Sequence, residues 1–268
     1  MKISYSKYSA FLQNPERFRL SYMLGLTQEG DETPNFMNLG RRRGRCFHAL
    51  YEGVDSREKL VEVYGEDLVS RCERMKEVIP DLGPLELVEH SFTVPIGDGK
   101  HSINGRIDHG FTADGQFRLG DFKSTKGTRT KKDLSDYLAE IETSAQSHFY
   151  LYAARQLGRP TELFTYHIIL DRKDKDSKPK YIPMDLPPVG SAALNRTMAG
   201  VYAACEAIEG LIERVGIEQP WPHSNHWPCQ GDKFFCGYSG ICGRQIPKGC
   251  APGGFTYRWK DKIAEETI

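Results

Sequence analysis

Long apolar runs are what this sequence lacks first: across 268 residues no apolar stretch exceeds six, so no part of it offers a bilayer-spanning helix. Residues 1–12 hold Ser, Lys and Tyr where a secretory leader needs an apolar block, and the expectation is a cytoplasmic protein with no membrane partner. An excess of either charge is missing too. Lys plus Arg and Asp plus Glu number 36 each, for a net charge of zero, which excludes a globally basic coat for nucleic acid and leaves only local attraction for phosphate. A hydrophobic share of 39% against 27% charged excludes a disordered chain. There is no internal repeat and no low-complexity linker. Among the 7 cysteines there is no C-x2-C knuckle, which excludes a standard zinc ribbon. In a reducing compartment these thiols are not expected to pair as disulfides.

What is present divides by period. Tyr5, Tyr8, Phe11, Leu12, Phe18 and Tyr22 lie at helical spacing, interrupted by Pro15 and stopped by Gly25. Further helices are expected over residues 44–51 and 57–79, the second ended by Pro80. The period then changes to two over residues 85–96, 103–111 and 116–123. A long helix is expected over 134–157, a buried strand over 162–170, a solvated charged loop over 171–180 and a last helix over 192–215. Cys46, Cys72 and Cys205 sit within helical patterns and read as small buried hydrophobes.

The chemistry concentrates in residues 103–123, INGRIDHGFTADGQFRLGDFK. Asp114-Gly115 favours a two-residue type I′ turn, because both central residues need positive φ. That turn pairs Ala113 with Gln116 and sets Asp108 opposite Asp121, with Cβ atoms about 4.5–5.5 Å apart. Lys123, two residues beyond Asp121, shares its face, while Ile107 and Phe122 turn the other way towards a core. Two opposed carboxylates repel, and a divalent cation between them reverses the sign. Oxygen ligands suit Mg²⁺ or Mn²⁺, and Lys123 beside the ion could orient a water and meet charge developing on a phosphate. His109 faces away by alternation. A literal Pro80-Asp81 pair stands at a helix end, but Asp108 on the partner strand is the better placed acid.

The order of these residues resembles the PD-(D/E)xK nuclease superfamily, in its RecB-like branch that includes CRISPR-adaptation exonucleases. The likeness is carried by Ser4-Tyr5-Ser6 with Asn14-Pro15, by Gly44 and His48, by residues 105–108 and 120–123, and by Gln146 with Tyr150. It implies an α/β fold with a restriction-endonuclease-like core, a central mixed sheet flanked by helices and an irregular cysteine-bearing C-terminal tail. It also implies Mg²⁺- or Mn²⁺-dependent cleavage of DNA. By position His48, Asp108 and Asp121 would ligate the metal, the carbonyl of Phe122 would add a ligand and Lys123 would assist the water. Gln146 and Tyr150, an i, i+4 pair on one helical stripe, would contact the scissile phosphate or hold Lys123.

Two basic runs lie beside these motifs: Arg41, Arg42, Arg43 and Arg45 before His48, and Lys126, Arg129, Lys131 and Lys132 after the hairpin. Both suit the DNA backbone and neither reads bases. Cys229, Cys236, Cys242 and Cys250 crowd the tail as a second metal site, a [4Fe-4S] cluster or Zn²⁺, with His223 or His226 available as substitutes for zinc. The branch often places one cluster cysteine in the first helix and three near the C-terminus. Here Asn14 and Lys233 stand where two of them are expected, so a cluster would be wholly C-terminal.

The expectation is a nuclease domain over residues 1–220, including the N-terminal helices, with a cysteine-rich extension over 221–268 packed on it. Its activity would be hydrolysis of DNA phosphodiesters from an end, in recombination, repair or processing. The alternatives are a non-catalytic nucleic-acid-binding or recombination subunit that keeps the fold and a structural metal, and a hydrolase of another phosphoester. Strand preference, a recombination or helicase partner and the oligomeric state are not encoded in these motifs.

Overall fold

The computed structural model describes residues 1–28, 35–53, 55–126, 131–171, 178–222, 238, 241–247 and 250–257. The chain opens with β1 (Lys2–Ser4), α1 (Tyr5–Gln13), α2 (Pro15–Phe18), a single π turn (Arg19–Met23) and β2 (Leu26–Gln28). Next come α3 (Asn35–Glu52), α4 (Arg57–Tyr64), α5 (Glu66–Glu77), β3 (Leu85–Glu86), β4 (His90–Ile96), β5 (His101–Ile107), β6 (His109–Ala113) and β7 (Gln116–Lys126). The remainder is α6 (Lys131–Glu142), α7 (Gln146–Gln156), β8 (Phe164–Asp171), β9 (Lys180–Asp185), α8 (Ser191–Arg214) and β10 (Phe255–Tyr257). No described helix is long and apolar enough to cross a membrane.

Two compact units share this chain. One holds residues 33–92 and 106–194, and the other holds 1–32, 93–105 and 195–268.

The first of these is built on a five-stranded sheet of order β3-β6-β7-β8-β9. Asp114 (φ +53°) and Gly115 (φ +72°) both take the left-handed backbone that a type I′ turn demands. The hairpin therefore closes with Ala113 opposite Gln116, and the register runs unbroken to His109 opposite Gly120. β7 and β8 run parallel, and α6 and α7 between them supply the crossover that a parallel pair requires. Alternation then assigns the faces. Lys123 and Tyr166 share the face towards α7, where Tyr150 meets Phe164 at 6.1 Å. Phe122 turns to the other face, against Phe47 of α3 at 5.1 Å. There Cys46, Phe47, Leu60, Val69, Cys72, Met75, Ile79 and Ile169 form one buried cluster. The sheet is thus mixed and flanked by helices, as expected, but both its faces are covered.

Several boundaries differ from the reading of the sequence. The helix expected over 57–79 is two, because Gly65 (φ +86°) breaks the chain and Ser56 caps α4 by accepting from the Lys59 N–H. The helix expected over 134–157 is also two. Thr143 turns its hydroxyl back to the Ala139 carbonyl at 2.8 Å, and Ser144 accepts from the Gln146 N–H at 3.2 Å, so α7 starts afresh. The helix bearing His48 begins at Asn35 rather than Gly44. Residues 85–96 make two strands instead of one, and β9 is an edge strand entered from the segment read as a loop.

In the other unit, β1 runs parallel to β5 in a sheet of order β1-β5-β4, and β10 pairs antiparallel with β2. Asn14 ends α1 and caps α2, its Oδ1 accepting from the Arg17 N–H at 3.0 Å. Glu16 and Arg19 form a fully buried ion pair at 2.6 Å. Such a pair is stable only when its remaining donors and acceptors are used. Glu16 accepts from the backbone N–H of Trp221 and Gly243 at 2.8 and 3.1 Å, and Arg19 donates to the carbonyls of Ile217 and Arg244 at 2.9 and 3.1 Å. The segment after α8 is fastened to α2 by these groups.

Candidate metal centre

Asp121 lies in the middle of β7, one residue past the last β6–β7 pair, and is 2% exposed. Asp108 is the single residue between β5 and β6, and its Oδ2 accepts from the Phe122 N–H at 3.2 Å. Both acids therefore stand just past the last pair of the β6–β7 ladder, and among the described residues the close group of ligand atoms is His48, Glu89 and Asp108, without Asp121. In an extended strand a residue's N–H and C=O point to the same edge, so the Phe122 carbonyl looks into the gap that opens where β6 ends.

Lys123 Nζ sits 2.7 Å from Asp121 Oδ2 and donates to Gln146 Oε1 at 2.9 Å. The Gln146 amide nitrogen in turn donates to Asp121 Oδ1 at 3.2 Å and to the Tyr150 hydroxyl at 2.9 Å. Gln146 and Tyr150 share one stripe of α7, so this one helix face closes over both charges. Lys123 also stands 5.7 Å over the Tyr166 ring.

On the open side of Asp108 the structure adds a residue that the sequence did not reveal. His48 Nε2 is 3.5 Å from Asp108 Oδ2, and His48 Nδ1 is 3.1 Å from Glu89 Oε1. One ligand atom each from His48, Glu89 and Asp108 lies within 4.8 Å of the others. The other Glu89 oxygen pairs with Arg106 at 2.5 Å. Glu89 reaches this position through backbone that non-glycine residues seldom take, with φ +52° at Leu87 and +45° at Glu89. Its N–H donates to the Asp108 carbonyl at 2.8 Å. The only cue in the sequence is an acid inside a stretch that alternates like a strand.

The electrostatics follow from burial and these partners. Burial pushes the Asp121 carboxyl up to about 7, with the Asp108 charge adding and Lys123 opposing. For Asp108 burial also pushes upward, but His48, Lys123 and the Phe122 N–H outweigh it and hold the acid below its ordinary value. Burial would lower the Lys123 ammonium, yet Asp121 and Asp108 outweigh it and raise it. Burial likewise drives the Tyr150 hydroxyl far upward, so it stays protonated. An imidazole and two carboxylates with ligand atoms within 4.8 Å of one another, at His48, Glu89 and Asp108, fit a hard divalent cation.

His109 lies on the opposite face, stacked 4.4 Å from Phe122, and neither ring nitrogen has a hydrogen-bond partner among the described residues. Of the basic residues, Arg42 and Arg45 are exposed on α3, and Arg42 donates to the Val63 and Tyr64 carbonyls, each at 3.4 Å. Arg43 reaches the Ser124 carbonyl at 3.5 Å. Arg41 on α3, Lys126 at the end of β7, and Lys131 and Lys132 at the start of α6 are placed by their backbone alone. Arg129, Cys229, Cys236, His223 and His226 lie outside the described residues. Cys242 is half-buried and Cys250 exposed.

A model of the PD-(D/E)XK nuclease superfamily matches residues 2–243. No curated protein sequence gives a significant match. Among solved structures, a provisionally assigned exonuclease from Eubacterium rectale is similar at 14% identity and a TM-score of 0.50, over 78% of this chain and 82% of that one. SSO0001 is similar at 16% identity and a TM-score of 0.42, over 92% and 87% of the two chains. At 14% identity the likeness to the Eubacterium rectale structure is one of fold.

Proposed function

Because the chain belongs to the PD-(D/E)XK nuclease superfamily, we propose that it is a Mg²⁺- or Mn²⁺-dependent deoxyribonuclease. It would hydrolyse phosphodiester bonds from a strand end, in DNA recombination, repair or processing. The observation that carries this reading is the Asp121–Lys123–Gln146 cluster, a buried acid and ammonium 2.7 Å apart, joined by one amide and within the electrostatic influence of Asp108. A merely structural ion pair gains nothing from a further carboxylate beside it.

Asp108, Asp121, His48 and the Phe122 carbonyl would hold the cation, with Glu89 in reach of the same place. When bound, the ion polarises the scissile phosphate and lowers the pKa of a coordinated water. Lys123 spends two of its three donors on Asp121 and Gln146, and the third orients the attacking water and meets charge developing on the phosphate. Tyr150 accepts from Gln146 and keeps its own O–H to donate towards a phosphate oxygen. Arg41, Arg42, Arg43 and Arg45, with Lys126, Arg129, Lys131 and Lys132, would follow the DNA backbone, which calls for charge and not for base reading. For Cys229, Cys236, Cys242 and Cys250 the reading is a structural thiolate site, [4Fe-4S] or Zn²⁺, coupled to folding of the tail. Asn14 is engaged as a helix cap and would take no part in it. Iron and zinc assays on protein purified without oxygen test that site.

The central test is cleavage of linear DNA in Mn²⁺ or Mg²⁺. The wild type degrades it and Asp121→Ala does not, while circular dichroism is unchanged. Cleavage that survives this substitution would remove Asp121 from the chemistry, and inactivity of the wild type on every nucleic acid would remove the enzyme.

A further inference from the structure

The sheet unit carries an open groove of about 760 Å³. Tyr51, one helical turn beyond His48 on α3, makes one wall, and Pro80 and Val88 line others. Lys76 and Asp81 are exposed charged groups on its lining. Phe122 links the groove to the metal centre, since the His48 and Tyr51 rings lie 5.6 and 5.0 Å from it. Val88 is the residue before Glu89 in the chain. Lys76 Nζ donates to the Leu50 carbonyl at 2.7 Å and stands 5.8 Å over the Tyr51 ring. Asp81 accepts from the Gly83 N–H at 2.9 Å.

Resting on the nuclease reading above, we propose that this groove receives an unstacked nucleobase of the strand being cut, next to the scissile phosphate. An aromatic ring and apolar side chains suit the flat face of a base, whose π surface stacks whatever its identity. The donor Lys76 and the acceptor Asp81 suit its edge, which carries both acceptors and donors. The volume falls in the range of small-ligand sites, about 300–1,000 Å³. A phosphate backbone fits poorly, because Asp81 repels it and, among the described residues, Lys76 is the one cation lining the groove. An apolar peptide would strip water from Lys76 and Asp81 without replacing it. A base within a duplex has both faces covered and its pairing edge occupied, so the occupant must be unpaired.

The test separates base from backbone. Binding of the full chain to a fluorescein-labelled short oligothymidylate is compared with binding to the same oligomer built of abasic sites, by anisotropy with Ca²⁺ in place of Mg²⁺. Wild type should prefer the base-bearing strand by about tenfold, the scale of one stacked base. Tyr51→Leu removes the ring and Val88→Trp fills the space. Each should bring the ratio below about twofold with little change for the abasic strand, and thermal midpoints identify any variant that fails to fold. A ratio near one in wild type, or an unchanged ratio in both variants while wild type still cleaves linear DNA in Mn²⁺, overturns the base site and leaves the nuclease reading standing. A chain that neither binds nor cuts DNA overturns both.

Discussion

Lys123 and Gln146 are joined by a 2.9 Å hydrogen bond from the ammonium to the amide oxygen, and the same amide donates to Asp121 through its nitrogen. One side chain of α7 therefore fixes both ends of the ion pair. Gln146→Ala leaves a buried carboxylate oxygen and the ammonium each short of a partner. Loss of one hydrogen bond to a charged group costs about 1.5–3 kcal/mol, roughly 10–150-fold in rate if the geometry matters only in the transition state. The expectation is a fall of that size in kcat with KM nearly unchanged. An equal rise in KM would make Gln146 a substrate-binding group instead.

Glu89 is placed to act through His48. Its Oε1 lies 3.1 Å from His48 Nδ1, while His48 Nε2 lies 3.5 Å from Asp108 Oδ2. Partners of this kind set the tautomer and orientation of a ligating imidazole, and their loss typically costs about 10–100-fold in metal affinity. For Glu89→Ala the Mn²⁺ concentration that gives half-maximal cleavage should rise by about that factor, with saturated activity largely retained. An unchanged Mn²⁺ titration would separate Glu89 from the metal.

What the sequence discloses and what it hides divide along physical lines. The register from Ala113–Gln116 to His109–Gly120, which brings Asp108 and Asp121 to the end of the β6–β7 ladder, is legible because Asp114-Gly115 allows few backbone paths, and a tight turn sets the register of everything it joins. Lys123 follows from strand alternation, and Gln146 with Tyr150 from the helical period. Glu89 is hidden because two left-handed non-glycine residues deliver it, and no pattern of residue types announces them. The breaks at Gly65 and Ser144 are hidden for a related reason, since the apolar period continues across both. β9 is an edge strand that begins at the exposed Lys180, the last residue of the charged segment read as loop.

Gly120 carries a constraint of its own. A Cβ there would stand 2.1 Å from His109 Nε2. The ring cannot swing aside cheaply, because it is stacked on Phe122 at 4.4 Å and lies 5.1 Å from His167. Overfilling a packed core costs about 1–3 kcal/mol. Gly120→Ala should lower the stability measured by urea unfolding by at least that much and displace the neighbouring Asp121 enough to reduce cleavage. Wild-type stability in this variant would mean that the His109 ring is free to move.

The same histidines make the fold sensitive to acid. Burial lowers His109 to about 3, with His167 reinforcing it, and lowers His167 to about 4. The unfolded chain titrates both near about 6.5, so between that pH and about 4 it binds roughly two protons that the folded protein refuses. Stability from these rings is therefore complete above about pH 6.5 and is lost as pH falls. Asp121 acts in the opposite sense. Its carboxyl, raised by burial to about 7, takes up a proton in the folded state that the unfolded chain binds only near about 3.9. One proton in two is offset, which leaves a net slope of about 1.4 kcal/mol per pH unit in the metal-free protein. Replacing His109 by Phe removes a buried ring with neither nitrogen bonded and should nearly flatten that slope. Urea unfolding at pH 7 and pH 5, in the presence of a chelator, measures both. A wild type equally stable at the two values, or a His109→Phe variant with the wild-type slope, would show that these rings are not held neutral by burial.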